Sequence, residues 1–145
     1  MLANLIRDQI SCDLYRIEAA DAYSDRYDPT VARNVDEQNS DARPEVAAPL
    51  PDLSRYDRIL LGSPIWNVRP PMIMATFAEN AALRHKDVHP FVTYAVSGLG
   101  STASFYRELN TGARFHNGLA VRGEEVHDRS TAGAAARWLR SSGLL

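Results

Sequence analysis

Hydrophobic residues along the chain recur with two different periods, and the alternation of these periods predicts alternating helices and strands. Helical spacing of apolar residues predicts helices over residues 2–10, from Pro70-Pro71 onward, and over 102–109. Capping signals predict two more, over residues 29–38 and from Ser130 or Thr131 to Arg140. Short apolar or alternating runs predict strands over residues 12–19, 56–62, 87–96 and 117–123. Strands that alternate with helices are typical of a doubly wound parallel sheet, so we expect a three-layer α/β fold.

Residues 20–55 interrupt this alternation, because they are polar, rich in proline and alanine, and mostly without periodicity. Asp28 is predicted to cap the helix near their start, with Pro29 as its first residue. The rest is either a disordered linker or an ordered surface loop. The predicted strands on both sides favour the ordered loop within a single domain spanning residues 1–145.

Composition narrows the classes of partner and compartment. A net charge of −2 and a pI near 6.1 provide no basic surface, so we expect no nucleic-acid or membrane partner. Cys12 is the single cysteine, which excludes an internal disulfide and suits a reducing compartment. No apolar run reaches the length of a membrane span, and Arg7 and Asp8 interrupt the N-terminus where a signal peptide would be apolar. These features predict a cytoplasmic protein.

Two loops that leave the central strands carry the candidate chemistry: "GSPIWNVRPP" (62–71) and "TYAVSGLGST" (93–102). In doubly wound sheets, ligands bind outside the carboxyl ends of the strands, where these loops are expected. The histidines and Cys12 lack the spacing of metal ligands, and no motif marks a nucleophile or general base, so the sequence predicts no metal site and no catalytic residue. A lone tryptophan is usually a packing residue, but the position of Trp66 opposite Tyr94 favours the wall of a site for a flat aromatic ligand.

The stretches "YDRILLGSPIWNVRPP" and "HPFVTYAVSGLGST" resemble the flavodoxin family, whose third strand runs into a Gly-x-Pro-Ile-Trp loop. The resemblance covers nearly the whole chain and implies a flavodoxin-like doubly wound parallel sheet that binds FMN. It also implies electron transfer to a redox partner protein, or an NAD(P)H-linked flavin or quinone reductase. Residues on the two loops would line the flavin ring, with Trp66 shielding it: Ser63, Pro64, Ile65, Trp66 and Asn67 on one side, Thr93, Tyr94, Ala95 and Gly98 on the other.

The chain departs from the family pattern in three places. The family's first strand and its phosphate-binding loop are absent, so the predicted fold is N-terminally truncated and its FMN binding weakened. Asn67 replaces a second aromatic residue, and Ala95-Val96 replaces a Gly-Gly pair. The alternative is therefore a non-catalytic interaction module that no longer binds FMN.

The missing strand leaves a gap of about 10 Å between the strands predicted at 12–19 and 56–62. Either the neighbours close up, or another segment or subunit fills the gap. Three explanations remain open: a misassigned start codon, which we favour, a natural loss of the cofactor, or a homodimer that completes the sheet.

Overall fold

The structure, a computed structural model, describes all residues from Met1 to Leu145. Four parallel strands form one sheet: β1 (Arg58–Pro64), β2 (Asp87–Tyr94), β3 (Arg114–Phe115) and β4 (Leu119–Arg122). Five α-helices accompany them: α1 (Leu2–Arg7), α2 (Tyr27–Asn39), α3 (Met72–Asn80), α4 (Thr102–Glu108) and α5 (Arg129–Ser141). The predicted α/β class with a parallel sheet is confirmed. No helix has both the length and the apolar character that crossing a membrane requires.

Alternating side chains of the strands bury two separate cores, one on each face of the sheet. Ile59 and Leu61 of β1 contact the core formed with α3 and α4. Leu60, between them in sequence, contacts the core formed with α1 and α5. A strand buried on both faces is a continuous apolar run, as "ILL" (59–61) is. The chain is therefore a three-layer sandwich with β2 in the middle of its sheet.

Pro90 lies inside β2 and explains why the strand beside it is broken in two. The even-numbered residues of β2 face β3 and β4, as the hydrogen bond from His116 N to Val88 O shows (2.9 Å). Proline has no N–H to donate, so the ladder cannot run past Pro90 without a gap. β3 pairs with Asp87 and Val88, whereas β4 begins its pairing at Phe91.

β1 lies at an edge of the sheet and pairs only with β2. The Asp57 carbonyl accepts from Asp87 N, and Ile65 N donates to Thr93 O, both at 2.9 Å. Because both groups of a residue in a parallel strand point to the same side, the odd-numbered residues of β1 face β2. The even-numbered residues, from Arg58 to Gly62, direct their backbone groups to the free edge, with which no other strand pairs.

The prediction of a strand over residues 12–19 is wrong. Only Ala19 of this segment makes a bridge, an antiparallel one with Val46, and the remainder has no ladder partner. Its alternating apolar residues instead pack against the core next to α3. The Tyr15 ring stacks on Phe77 of α3 with centroids 5.9 Å apart, and Ile17 contacts the same core. Alternation indicated that one side of the segment is covered, but not that a neighbouring strand covers it.

Helix ends differ from the predicted ones by a few residues. α1 ends at Arg7 rather than at residue 10, and α2 begins at Tyr27, so Asp28 lies in its first turn and Arg26 occupies the N-cap position. Neither Ser130 nor Thr131 caps α5, because the helix begins at Arg129. Gly143 follows the end of α5 and has a φ of +71°.

A cluster of titratable side chains lies where β2 and β3 begin. Asp87 accepts hydrogen bonds from Arg114 Nε (2.8 Å) and Nη2 (3.0 Å), and its Oδ1 is 2.7 Å from His116 Nε2. These contacts, the Arg114 hydrogen bonds first, hold the pKa of Asp87 well below its usual range. The buried His89 ring stacks on His116 with centroids 4.6 Å apart. Burial, and then the charge of His116, lowers the pKa of His89.

Stability is expected to fall in two stages as the pH is lowered. Below about pH 6.5 the unfolded state binds a proton at His89 that the folded state resists. Below about pH 4 the unfolded state also binds one at Asp87, whose charged form the fold favours. Urea unfolding measured from pH 8 to pH 3 tests this. His89→Gln should remove the first stage of the stability loss, whereas replacement of the exposed His127 by glutamine should leave both stages in place. If the pH profile of His89→Gln is the same as that of the wild type, His89 is not the cause of the first stage.

Candidate functional site

The carboxyl ends of β1 and β2 bring the two predicted loops side by side. Pro64 is in register with Thr93, and Ile65 N donates to the Thr93 carbonyl at 2.9 Å just past the end of the β1 ladder. Both loops then lead into helices, α3 after the first and α4 after the second. The site residues predicted on the two loops are thus neighbours at the carboxyl end of the sheet, as parallel strands require.

The first loop folds back at Trp66–Arg69 in a tight turn. Trp66 N donates to Arg69 O (2.9 Å) and Arg69 N to Trp66 O (3.4 Å), while both central residues have positive φ: Asn67 at +51° and Val68 at +72°. Two successive positive φ values are typical of a type I′ turn. Asparagine adopts this region readily, but a β-branched valine does so at a cost of about 1 to 3 kcal/mol. Other contacts must therefore hold the turn.

The second loop supplies one of those contacts. The Val68 carbonyl accepts from Ser101 N (2.8 Å) and from Ser101 Oγ (3.2 Å), which ties the turn to the residue before α4. Gly100 passes so close that a Cβ placed on it would lie 2.0 Å from the Val68 oxygen. Gly98 and Gly100 both have positive φ, +60° and +54°. Glycine is needed at position 100 for the close approach as well as for its backbone conformation.

The predicted ring-lining residues range from buried to exposed. Ile65 is buried, and Asn67 and Ala95 are exposed; the others are half-buried: Ser63, Pro64, Trp66, Thr93, Tyr94 and Gly98. Val96, which follows Ala95, is 88% exposed. The structure brings all nine predicted residues together at the carboxyl ends of β1 and β2, and all of them except Ile65 leave part of their surface accessible.

Several backbone donors on these loops have no acceptor in the protein. The N–H groups of Asn67, Val68, Ala95, Val96 and Gly98 make no hydrogen bond to backbone or side chain. Donors of this kind either bind water or remain available to a ligand with carbonyl and ring-nitrogen acceptors. Backbone donors of both loops can therefore bind a planar polar heterocycle at the carboxyl ends of β1 and β2.

Residues outside the two loops complete the site, and the sequence did not single them out. Tyr23 packs edge-on against Trp66 with centroids 5.1 Å apart, and its hydroxyl donates to Glu37 Oε2 at 2.7 Å. Burial first, and then the bond to Glu37, raises the pKa of Tyr23. The Arg33 guanidinium lies over a face of the Tyr23 ring, 3.8 Å from its centroid. The backing of Trp66 therefore comes from the 20–55 connection, where no periodic signal pointed to it.

Two further side chains approach the loops. Gln38 of α2 donates from Nε2 to the Trp66 carbonyl (3.0 Å), and its Oε1 accepts from Asn67 Nδ2 (2.8 Å). Arg122, the last residue of β4, is the register partner of Tyr94, and its guanidinium lies 6.0 Å from that ring's centroid. Arg122 could have been noticed as a cation at the carboxyl end of a predicted strand. Gln38 carried no such signal.

Comparison with known proteins agrees with this geometry. Among solved structures, a protein from Bacteroides uniformis ATCC 8492 described as a flavoprotein superposes with a TM-score of 0.80 at 27% identity, over 96% of this chain and 88% of the other. One from Bacteroides eggerthii DSM 20697 with the same description gives 0.83 at 25% identity, over 99% and 89%.

A flavoprotein of Lactobacillus acidophilus NCFM, solved in complex with FMN, has the same fold, with a TM-score of 0.73 at 22% identity over 89% of this chain and 88% of the other. Among curated proteins, none matches this chain. The sequence model of the flavodoxin family, however, matches residues 2–139. The chain therefore belongs to the flavodoxin family.

Proposed function

We propose that this chain binds FMN, with its isoalloxazine ring at the Ser63–Asn67 and Thr93–Gly98 loops, at the carboxyl ends of β1 and β2. We also propose that it works as a flavodoxin-like redox protein. The observation that carries the proposal is the pairing of a half-buried aromatic surface with backbone donors that have no protein acceptor. An isoalloxazine ring has a flat π-face and several carbonyl and ring-nitrogen acceptors, so the residues present fit it. The FMN complex of the L. acidophilus protein supports the same ligand class.

Bound FMN would supply the electron-accepting and electron-donating chemistry. The residues of this chain would bind and shield the ring: Trp66 by stacking, and the free N–H groups of the loops by hydrogen bonds. Arg122, held beside Tyr94, would add positive charge near the ring and so favour its reduced, more negative state. Tyr23 would keep Trp66 from turning away into solvent.

The proposal is tested by adding FMN to the purified protein and following flavin fluorescence. Binding of the ring against Trp66 is expected to quench the emission, with a midpoint that gives Kd. Trp66→Ala should weaken binding about tenfold or more, since an aromatic stacking partner is lost. Lack of quenching by the wild-type chain at millimolar FMN would refute FMN binding by this protein.

A second candidate function is a non-catalytic interaction module on the same fold. The observation in its favour is the pair Ala95-Val96, whose side chains stand in place of the family's Gly-Gly pair, with Val96 88% exposed. If these methyl groups keep the ring from the backbone, the double substitution Ala95→Gly and Val96→Gly should restore tight FMN binding to a chain that otherwise binds it poorly. An interaction module that has lost the site altogether would gain nothing from these changes.

For electron supply we propose a redox partner protein or NAD(P)H, in the cytoplasm. Anaerobic mixing of the FMN-loaded protein with NADPH or NADH should bleach the yellow flavin absorbance if the nicotinamide reacts directly. Persistence of the colour with both nicotinamides would restrict the proposal to a protein donor.

A further inference from the structure

The helix α2 has an unusual distribution of residues: it buries amides and exposes valines. Asn34 and Gln38, one turn apart, are 4% and 7% exposed, whereas Tyr27, Val31 and Val35 are 81%, 41% and 38% exposed. A surface helix placed by hydrophobic burial alone would turn its valines inward. Burial of apolar residues therefore does not set the orientation of α2; on its buried face Gln38 makes side-chain hydrogen bonds, whereas the Asn34 Oδ1 has no hydrogen-bond partner.

Those polar contacts lead directly to the Trp66–Arg69 turn. The Gln38 amide uses both of its functional groups on the turn: Nε2 donates to the Trp66 carbonyl at 3.0 Å and Oε1 accepts from Asn67 Nδ2 at 2.8 Å. The turn itself is strained, with positive φ at Asn67 and Val68. A conformation of this kind persists only when its surroundings hold it. Ser101 holds its second half through the Val68 carbonyl, and Gln38 is the contact that holds its first half.

We propose that Gln38 is a positioning residue of the flavin site: it fixes the Trp66–Asn67 peptide so that the indole and the free N–H groups of the turn face the ring. This inference rests on the proposed function for its ligand, but not for its geometry. Gln38 touches no reacting group and acts through the turn. Loss of its two hydrogen bonds lets the strained turn relax and changes the surface offered to the ring.

The test compares three variants by FMN titration and thermal unfolding. Gln38→Leu keeps the size of the side chain but removes both hydrogen bonds, and should raise Kd about tenfold, as expected for one to two net hydrogen bonds. Its melting temperature should stay close to that of the wild type, because leucine suits a buried position. Asn34→Leu is the matched control, since Asn34 is equally buried on the same face but makes no hydrogen bond to the turn; its Kd should be unchanged.

Gln38→Glu gives a readout that a merely structural role would not produce. At neutral pH the introduced carboxylate can accept from Asn67 but cannot donate to the Trp66 carbonyl, so binding should be weak. When the carboxyl is protonated at lower pH it can donate again, and the ratio of the variant's Kd to the wild-type Kd should fall toward one. A ratio that does not depend on pH, or equal weakening by Gln38→Leu and Asn34→Leu, would overturn the assignment.

The geometry is tested separately from FMN binding by NMR of the ligand-free protein. Gln38→Leu should shift the side-chain amide resonances of Asn67 and the indole N–H resonance of Trp66, whereas Asn34→Leu should leave them in place. If the wild type fails to bind FMN but these shifts appear, the proposed function is wrong and the positioning of the turn by Gln38 stands. If the resonances do not move in Gln38→Leu, the positioning role is wrong whatever the ligand.

Discussion

Replacement of Phe77 by alanine is expected to lower the free energy of unfolding by about 3 to 5 kcal/mol, a large share of the stability of a domain of this size. Phe77 is 4% exposed in the middle of α3 and belongs to the larger of the two cores. Its ring also carries the stacked Tyr15, which anchors a segment that has almost no backbone pairing. The substitution therefore leaves a cavity and also releases the 12–19 segment.

Urea unfolding followed by circular dichroism measures this loss. Tyr15→Ala should cost less than Phe77→Ala, because it releases the segment without opening the core of α3. Replacement by alanine of Tyr27, which is 81% exposed, is the control for removal of an aromatic residue and should change stability by no more than about 0.5 kcal/mol. Equal losses in Phe77→Ala and Tyr27→Ala would contradict the packing described for α3.

Gly100→Ala is expected to have the largest effect on the candidate site. The new methyl group would lie 2.0 Å from the Val68 oxygen, a backbone atom that cannot rotate away. The alanine would also have to adopt the φ of +54° that Gly100 has. The two loops must then separate, with loss of the hydrogen bonds from Ser101 to Val68. We expect the variant to lose the proposed FMN binding and to be destabilised by about 1 to 3 kcal/mol.

Gly98→Ala separates the two causes. Gly98 has a similar φ of +60°, but a Cβ there would meet nothing within 4 Å. It should therefore cost only the backbone strain, about 1 kcal/mol, whereas Gly100→Ala adds the collision between the loops. The comparison is made by urea unfolding of both variants. Equal losses of stability would show that the close approach of Gly100 to Val68 carries no cost.

The sequence predicted the parts of the site that follow from strand order. Once "RILLG" and "HPFVTY" are read as parallel neighbours, their following loops must meet, and the structure has Ile65 bonded to Thr93 at that point. The periodic signal within each element and the apolar character of the strands were enough for this. The bounds of β1 and β2 differ from the predicted ones by only two residues.

Contacts between a non-periodic segment and the site could not be predicted. Gln38 and Trp66 are 28 residues apart, and an amide on a surface helix has no property that marks it as a partner of a distant carbonyl. The prediction for the 12–19 segment failed for the opposite reason: the segment has the period of a strand, but it is not one. Tyr15 and Ile17 pack against the core with that same period without a ladder, and period alone does not distinguish the two.

The free edge of β1 gives the strand two chemically different sides. The N–H groups of Ile59, Leu61 and Ser63 face β2 and are bonded to it, whereas those of Leu60 and Gly62 face outward with only solvent as an acceptor. Amide hydrogen exchange should therefore alternate along a single strand, slow at the first three residues and fast at the other two. Any chain that adds to this edge would slow exchange at Leu60 and Gly62 and leave the alternate positions unchanged, so these two amides report directly on whether the sheet is extended.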